Sequence, residues 1–158
     1  MTVFRVWINA SPQKVWDAIV DPAFNQRYGY GLPSEYDLRP GGLFLVRQPE
    51  AMVKLGAPAV MIDGEVLELD PPKRLVQTWH ANFTEQTAAE PPQRVTYELE
   101  EEGEGIVILT VTHELDAAPA TARFVQGDEE MGGKGGLPMI LSDMKTWLET
   151  GKSMRLPS

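Results

Sequence analysis

The side chains of this sequence that are best suited to acid–base catalysis or metal binding are its two histidines, His80 and His113. Imidazole titrates near neutral pH, so either ring could serve as a general base or bind a metal ion. A site of two histidines and one carboxylate would suit a metal, but nothing in the spacing requires it. No neighbouring serine or threonine is marked as a nucleophile. We therefore expect two ordinary, hydrogen-bonded histidines at strand ends, no metal ion and no catalytic residue.

Two carboxylates, Asp63 and Glu65, alternate on a predicted strand. Alternating residues point the same way and lie about 7 Å apart, a separation that hydrolytic chemistry could use. The apolar residues of this strand change parity on either side of Gly64, which predicts a β-bulge at that glycine. Such a bulge would break the alignment, so we expect solvated carboxylates on the outer face.

A glycine-rich run at residues 132–136 surrounds Lys134 and precedes a predicted helix. A phosphate-binding loop needs a strand before it and a serine or threonine directly after the lysine, whereas Gly135 follows here. We interpret residues 132–136 as a flexible hinge that could let the last helix move.

Composition limits the class of protein. The chain has 158 residues, 42% of them hydrophobic, a formal charge of −9 and no cysteine. These values predict one folded domain over residues 1–158 without disulfides or thiolate metal sites. The negative charge disfavours nucleic acid as a partner. Residues 1–10 lack the apolar core of a signal peptide and no run is long enough to span a membrane, so we expect a cytoplasmic protein with no membrane insertion.

The pattern of apolar residues and turn signals predicts an α+β fold. A first strand is followed by two short helices, which begin at Ser11-Pro12 and Asp21-Pro22, the second ending near Tyr28. Residues 50–58 and 84–92 are predicted loops, and residues 116–136 a linker. Strands are predicted over residues 2–9, 34–38, 43–48, 59–69, 74–80, 94–101 and 105–115.

The last predicted element is an amphipathic helix over residues 138–150, stopped by Gly151. Its apolar stripe consists of Ile140, Leu141, Met144, Trp147 and Leu148. A curved antiparallel sheet of about six or seven strands could bury this stripe on its concave face. One helix cannot fill such a sheet, which predicts a space for a small apolar ligand.

Several segments resemble a known family. They are residues 10–16 (ASPQKVW), Pro40-Gly41-Gly42, residues 64–76 with Thr78-Trp79, and residues 138–151. The chain is similar to the activator of heat shock protein 90 ATPase homologue-like proteins of the START-like (helix-grip, SRPBCC) superfamily. The resemblance implies a single START-like domain, here with residues 152–158 as a loose tail. It also implies a cavity that the superfamily uses for lipid carriage, polyketide cyclisation, hydrolysis or partner binding.

The leading functional hypothesis is a module that binds a small hydrophobic molecule in this cavity, without a cofactor. The alternatives are an enzyme of the cyclase or hydrolase type, using Tyr97, a histidine or a carboxylate, and a co-chaperone-like module with an exposed apolar patch outside the cavity. A homodimer is left open. The predicted ligand-binding residues are Phe44, Met61, Trp79, Tyr97, Met139, Met144 and Trp147.

Overall fold

The computed structural model describes residues 1–128 and 135–157. The strands are β1 (Thr2–Ile8), β2 (Ser34–Tyr36), β3 (Leu43–Arg47), β4 (Val60–Asp70), β5 (Arg74–Ala81), β6 (Gln93–Glu101) and β7 (Val107–His113). The helices are α1 (Pro12–Val20), α2 (Pro22–Asn25), α3 (Glu50–Lys54), α4 (Glu85–Ala89), α5 (Pro119–Val125) and α6 (Gly136–Thr150).

The seven strands form one curved sheet in the order β1-β7-β6-β5-β4-β3-β2. Every neighbouring pair is antiparallel. Strands β2 to β7 follow one another as a meander, and β1 returns to pair with β7. This arrangement, with α6 at the end of the chain, confirms the predicted α+β helix-grip fold.

The first two helices begin where the capping residues predict. The Ser11 side chain accepts a hydrogen bond from the Lys14 amide, and the Asp21 side chain accepts one from the Ala23 amide. Helix α2 ends at Asn25, not near Tyr28, because the backbone must turn toward β2. Gly29 lies in that turn with a φ of 67°, a conformation that side-chain-bearing residues rarely adopt.

Three short helices occupy segments predicted as loops or linker. They are α3 within residues 50–58, α4 within residues 84–92 and α5 within residues 116–136. Each is too short to show a helical period in the sequence. Caps stabilise two of them: Thr84 and Thr87 form a capping box on α4, and the Glu90 carboxylate accepts hydrogen bonds from the first turn of α5.

The predicted bulge at Gly64 is wrong. Pairing of β4 with β5 stays in register from Asp63 to Val66 and shifts only between Val66 and Glu68. Gly64 is needed for another reason: a Cβ there would collide with the Thr78 carbonyl oxygen. The residue is a glycine because two backbones approach closely.

The helix α6 packs on the same side of the sheet as α1. Leu141 and Met144 of α6 join a buried cluster with Ile8, Val66 and Leu109 from the strands. Gly151 ends the helix with a φ of 80°, as predicted, and its amide donates to the Trp147 carbonyl. No helix in the described part of the chain is both long and apolar enough to cross a membrane.

Several residues of the tail after α6 contact the rest of the fold, while a loose segment over residues 152–158 stays a prediction. Ser153 and Met154 donate hydrogen bonds to Asp143 of α6. The Leu156 side chain packs at Gly31. Of the predicted hinge at residues 132–136, residues 132–134, including Lys134, lie outside the described residues.

The close backbone approach at Gly64 makes a testable prediction. Substitution Gly64→Ala should lower the free energy of unfolding by about 3 kcal/mol, because the new methyl group must push β4 away from β5. Urea denaturation measures the change. The matched control is Glu65→Ala, an exposed neighbour on the same strand, which should shift the midpoint little; equal midpoints for the two variants would contradict the prediction.

Candidate ligand cavity

A cavity of about 610 Å³ lies between the concave face of the sheet and α6. The segment from Asn25 to Tyr36 forms one side, and residues of α3 and α5 also contribute to the lining. Its volume is within the range of small-molecule sites, about 300–1,000 Å³. The wall is mainly apolar and rich in rings, which come from Tyr28, Tyr30, Tyr36, Phe44, Trp79, Phe83, Tyr97 and Phe124.

Strand alternation places the wall residues. Tyr97 of β6 lies opposite Val111 of β7, so both side chains point to the same face of the sheet. Phe44 of β3 lies opposite Gly64 of β4, and its ring would contact a Cβ at that glycine at 3.1 Å. The missing side chain therefore makes room for an aromatic ring in the cavity wall.

Five of the seven predicted binding residues line this cavity, and their binding role stays a prediction. They are Phe44, Met61, Trp79, Tyr97 and Met144. The structure does not bring the other two to the wall. Met139 lies against Gly135 and the Arg155 side chain, and Trp147 packs on Phe24 and Tyr28, with ring centroids 6.1 and 6.0 Å apart.

Sequence reasoning missed several wall residues. Phe83 and Phe124 contact each other at 5.1 Å, but they flank α4 and lie in α5, two elements that the sequence pattern did not reveal. Tyr36 lies in a predicted strand. Its two-residue spacing from Ser34 was the signal that both side chains point to the same face of the sheet. His113 was predicted as an ordinary hydrogen-bonded histidine and was not named among the cavity residues.

The polar groups of the wall include a pair of tyrosines. The Tyr36 hydroxyl donates to Gln77 Oε1 at 2.6 Å, and it also interacts with the Tyr97 hydroxyl. Burial raises the pKa of Tyr97 to about 12, even though the hydrogen bond with Tyr36 lowers it. Burial, together with the neighbouring Tyr97 and Tyr28, raises the pKa of Tyr36 well above its usual value. Both phenols are therefore neutral hydrogen-bonding groups at physiological pH.

His113 lies in the wall as a neutral imidazole. It is 3% exposed, its Nε2 lies 3.3 Å from Gln93 Oε1, and its ring meets Trp79 edge to face at 5.2 Å. Burial lowers its pKa to about 4. The other histidine, His80, contacts Asp63 Oδ2 at 3.2 Å and the Ala88 carbonyl at 3.0 Å. Both are hydrogen-bonded histidines at strand ends, as expected.

The two carboxylates of β4 have different surroundings. Asp63 accepts a hydrogen bond from Asn82 at 2.9 Å in addition to its contact with His80, whereas Glu65 is exposed. Across residues 1–128 and 135–157, no three histidine or acidic side chains are grouped so that they could hold a metal ion.

The buried carboxylate of Asp143 fixes α6 beside the cavity. It accepts hydrogen bonds from the Gly29 amide at 2.9 Å, the Ser153 hydroxyl at 2.5 Å and the Met154 amide at 2.6 Å. Burial raises the pKa of Asp143, but these three donors and the charge of Arg155 outweigh burial and hold the pKa below its usual value. One side chain thus joins α6, the turn beside Tyr28 and the tail.

Comparison with known proteins supports the same architecture. The sequence profile of the family described as "Activator of Hsp90 ATPase homolog 1-like protein" matches residues 9–149. No curated protein matches the chain.

Solved structures share the fold at low sequence identity. CalU16 from Micromonospora echinospora is 23% identical with a TM-score of 0.66, over 99% of this chain and 75% of that protein. An HSP90 activator from Plasmodium falciparum is 20% identical with a TM-score of 0.62, over 94% and 97%. The Aha1 dimer from Colwellia psychrerythraea is 17% identical with a TM-score of 0.62, over 97% and 100%. Identities this low establish the fold alone.

The neutral state of His113 predicts a loss of stability in mild acid. Because its pKa of about 4 in the folded chain lies below the unfolded value of 6.5, the unfolded chain binds the proton more readily. The contribution of the neutral His113 ring to the free energy of unfolding is fully present well above pH 6.5. It should fall by about 3 kcal/mol as the pH drops to 4. Urea denaturation of the unmodified chain and of His113→Gln at several pH values tests this; a variant with the same slope from pH 6.5 to 4 would contradict it.

The Asp143 carboxylate predicts a second loss at lower pH. Its folded pKa lies below its usual value, so its contribution is present above about pH 4 and disappears as the pH falls through the folded pKa. Asp143→Asn should cost about 3 kcal/mol at pH 7, because the amide cannot accept from all three donors. The difference from the unmodified chain should shrink below pH 4. A difference that stays constant from pH 7 to 3 would argue against a charged Asp143.

Proposed function

The chain belongs to the family of activator of Hsp90 ATPase homolog 1-like proteins, and on that premise we propose that it binds a small, mostly apolar molecule in the cavity between the sheet and α6. The family and its fold are those of a module for a ligand or a protein partner. We propose the ligand because of one observation, the cavity of about 610 Å³ with a largely apolar wall. We also propose that residues 1–158 form one domain and that the protein is cytoplasmic.

The ionisable side chains of the cavity wall favour ligand binding over catalysis. A general base works best with a pKa near the ambient pH, but burial moves His113 in the opposite direction, to about 4. Tyr97, with a pKa of about 12, is held in its protonated form. Neither group contacts a partner that would activate it, since His113 faces the Gln93 amide and Tyr97 faces Tyr36.

The expected affinity is modest. A ligand of about 20 non-hydrogen atoms gains roughly 0.3 kcal/mol per atom, or about 6 kcal/mol, which corresponds to a dissociation constant of tens of micromolar. Tighter binding would need polar groups that match the few hydrogen-bonding side chains of the wall.

A protein partner is the second candidate function. On and just after α3, Met52, Val53 and Leu55 are exposed, Leu55 to 82%. This apolar patch adjoins the cavity mouth, because Met52 also lines the cavity. The patch would fit a co-chaperone-like role or contact with a second copy of the chain, and size-exclusion chromatography with light scattering distinguishes a dimer from a monomer.

Filling the cavity tests the proposal. N-phenyl-1-naphthylamine, a neutral fluorescent probe, should bind the unmodified chain with a dissociation constant of about 200 μM or lower. Met61→Trp places a larger side chain in the wall and should weaken binding at least about tenfold without loss of the folded state. Fluorescence titration measures binding, and circular dichroism checks folding.

The matched control is Met154→Trp. The Met154 side chain is 58% exposed and lies outside the cavity wall, so the variant should bind the probe as the unmodified chain does. Native mass spectrometry of the purified protein provides an independent measurement, in which a co-purified small molecule supports the proposal. Absence of probe binding, or equal binding by both tryptophan variants, would refute it.

A further inference from the structure

His80 lies between the sheet and the short helix α4, and both nitrogens of its ring face a hydrogen-bond acceptor. Nδ1 lies 3.2 Å from Asp63 Oδ2 on β4, and Nε2 lies 3.0 Å from the Ala88 carbonyl oxygen on α4. A neutral imidazole carries one N–H, so it can donate to one of these two oxygens. An imidazolium carries two N–H groups, and it alone completes both hydrogen bonds.

The neutral ring keeps its bond to the carboxylate and loses its bond to α4. A hydrogen bond to an ionised acceptor is stronger than one to a carbonyl group, so the single proton of neutral His80 belongs on Nδ1, facing Asp63. Nε2 then presents its lone pair to the Ala88 oxygen, and two acceptors in contact repel each other. The link between β5 and α4 is therefore made when the ring is charged and is lost when the ring is neutral.

Each element packed on this imidazole also carries a further charged group. On β4, Glu65 is exposed, and on α4, Glu85 is exposed. On β6, Arg94 pairs with Glu114 at 3.9 Å. These groups lie in water or are engaged with each other, so the direct ionic partner of the ring is Asp63.

The two histidines of the chain differ in their access to protons. Imidazole side chains typically change charge between about pH 5 and 8. Burial keeps His113 neutral over this range, with a pKa of about 4. The His80 side chain is 17% exposed and can exchange its proton with water. The ring beside α4 is therefore the one that can respond to pH near neutrality.

Helix α4 is also held at both ends, and its first end reaches the cavity. Before the helix, the Asn82 side chain donates to the Val60 carbonyl group, and behind it Glu90 accepts from the first turn of α5. Phe83, between Asn82 and the helix, lines the cavity and contacts Phe124 of α5 at 5.1 Å. Movement of α4 between these two attachments would therefore change the cavity wall at Phe83.

We propose that His80 is a pH-sensitive latch, whose charged form holds α4 against β5 and whose neutral form releases α4. The latch consists of the His80 ring, the Asp63 carboxylate and the Ala88 carbonyl group, and it needs no ligand. Its consequence for ligand entry rests on the proposed function: when the latch is open, the wall at Phe83 is looser and a ligand enters the cavity faster.

Hydrogen exchange measured by mass spectrometry tests the latch on the unmodified chain. The protection of residues 84–90, corrected for the intrinsic pH dependence of exchange, should be roughly tenfold higher at pH 6 than at pH 8, because a hydrogen bond from a charged donor is lost. Nuclear magnetic resonance of the ring nitrogens follows the titration of His80 itself, and the two midpoints should coincide. Equal protection at both pH values, or midpoints that differ, would overturn the proposal.

The variant His80→Phe keeps a flat ring but removes both donors. Residues 84–90 should then have the low protection of the pH 8 state at pH 6 as well. The matched control is Glu85→Gln, which removes a titratable group of α4 outside the latch and should keep the roughly tenfold difference. A pH-dependent His80→Phe variant, or a pH-independent Glu85→Gln variant, would contradict the assignment to His80. The coincidence of midpoints in the unmodified chain decides the question even if His80→Phe does not fold.

Stopped-flow mixing with N-phenyl-1-naphthylamine tests the consequence for ligand entry. The probe is uncharged in this range, and it should associate with the unmodified chain several-fold faster at pH 8 than at pH 6, while His80→Phe shows equal rates. If protection changes with pH but the probe does not bind, the latch stands and the ligand-binding function fails. If the probe binds but protection does not change, the latch fails and the binding function stands. Equal association rates despite changing protection would refute control of entry by the latch.

Discussion

One long helix has to cover a seven-stranded sheet, and this mismatch in size governs the structure. Seven strands at a spacing of about 4.8 Å make a layer nearly 30 Å wide, whereas a helix with its side chains is about 10 Å across. Helix α6 buries Leu141 and Met144 against the central strands. The uncovered part of the concave face becomes the cavity of about 610 Å³, bordered by short elements that contribute rings.

The position of α6 is set by polar contacts as well as by its apolar stripe. Apolar packing tolerates sliding, because it is non-directional. The Asp143 carboxylate is directional: its three hydrogen bonds fix α6 relative to Gly29 and to the tail. On another side of the helix, Lys145 and Glu149 bond to the backbone of Trp7 and Asn9 near the end of β1. The cavity thus keeps its shape because both sides of the helix are tied down.

Much of the architecture could be predicted from local signals. The Ser11-Pro12 cap, the Gly151 stop and the stripe through Leu141 and Met144 each report a short-range preference, and the structure agrees with them. Five of the seven large side chains predicted as binding residues also line the cavity. Trp147 did not line the cavity, although it lies on the same stripe, because a helix buries only part of its stripe toward any one neighbour.

The failures have a common physical cause. Helix α5 depends on a cap from Glu90, which lies in a different segment of the chain, so no window of sequence contains that signal. The capping box of α4, formed by Thr84 and Thr87, is local, but the five-residue helix is too short to show a helical period. Gly64 was assigned to a bulge because a glycine in a strand has several explanations, and only the position of the Thr78 carbonyl distinguishes them. The role of Asp143 could not be predicted from its helix, because its donors come from Gly29 and from the tail ten residues later.

The amide and the carbonyl group of one residue, Gly29, link the segment after α6 to the cavity. The Gly29 amide donates to Asp143, and the Gly29 carbonyl accepts from Arg155 at 3.1 Å. Tyr28 and Tyr30, on either side of this glycine, both line the cavity. Displacement of Arg155 or Asp143 would therefore disturb the turn that carries these two tyrosines of the cavity wall.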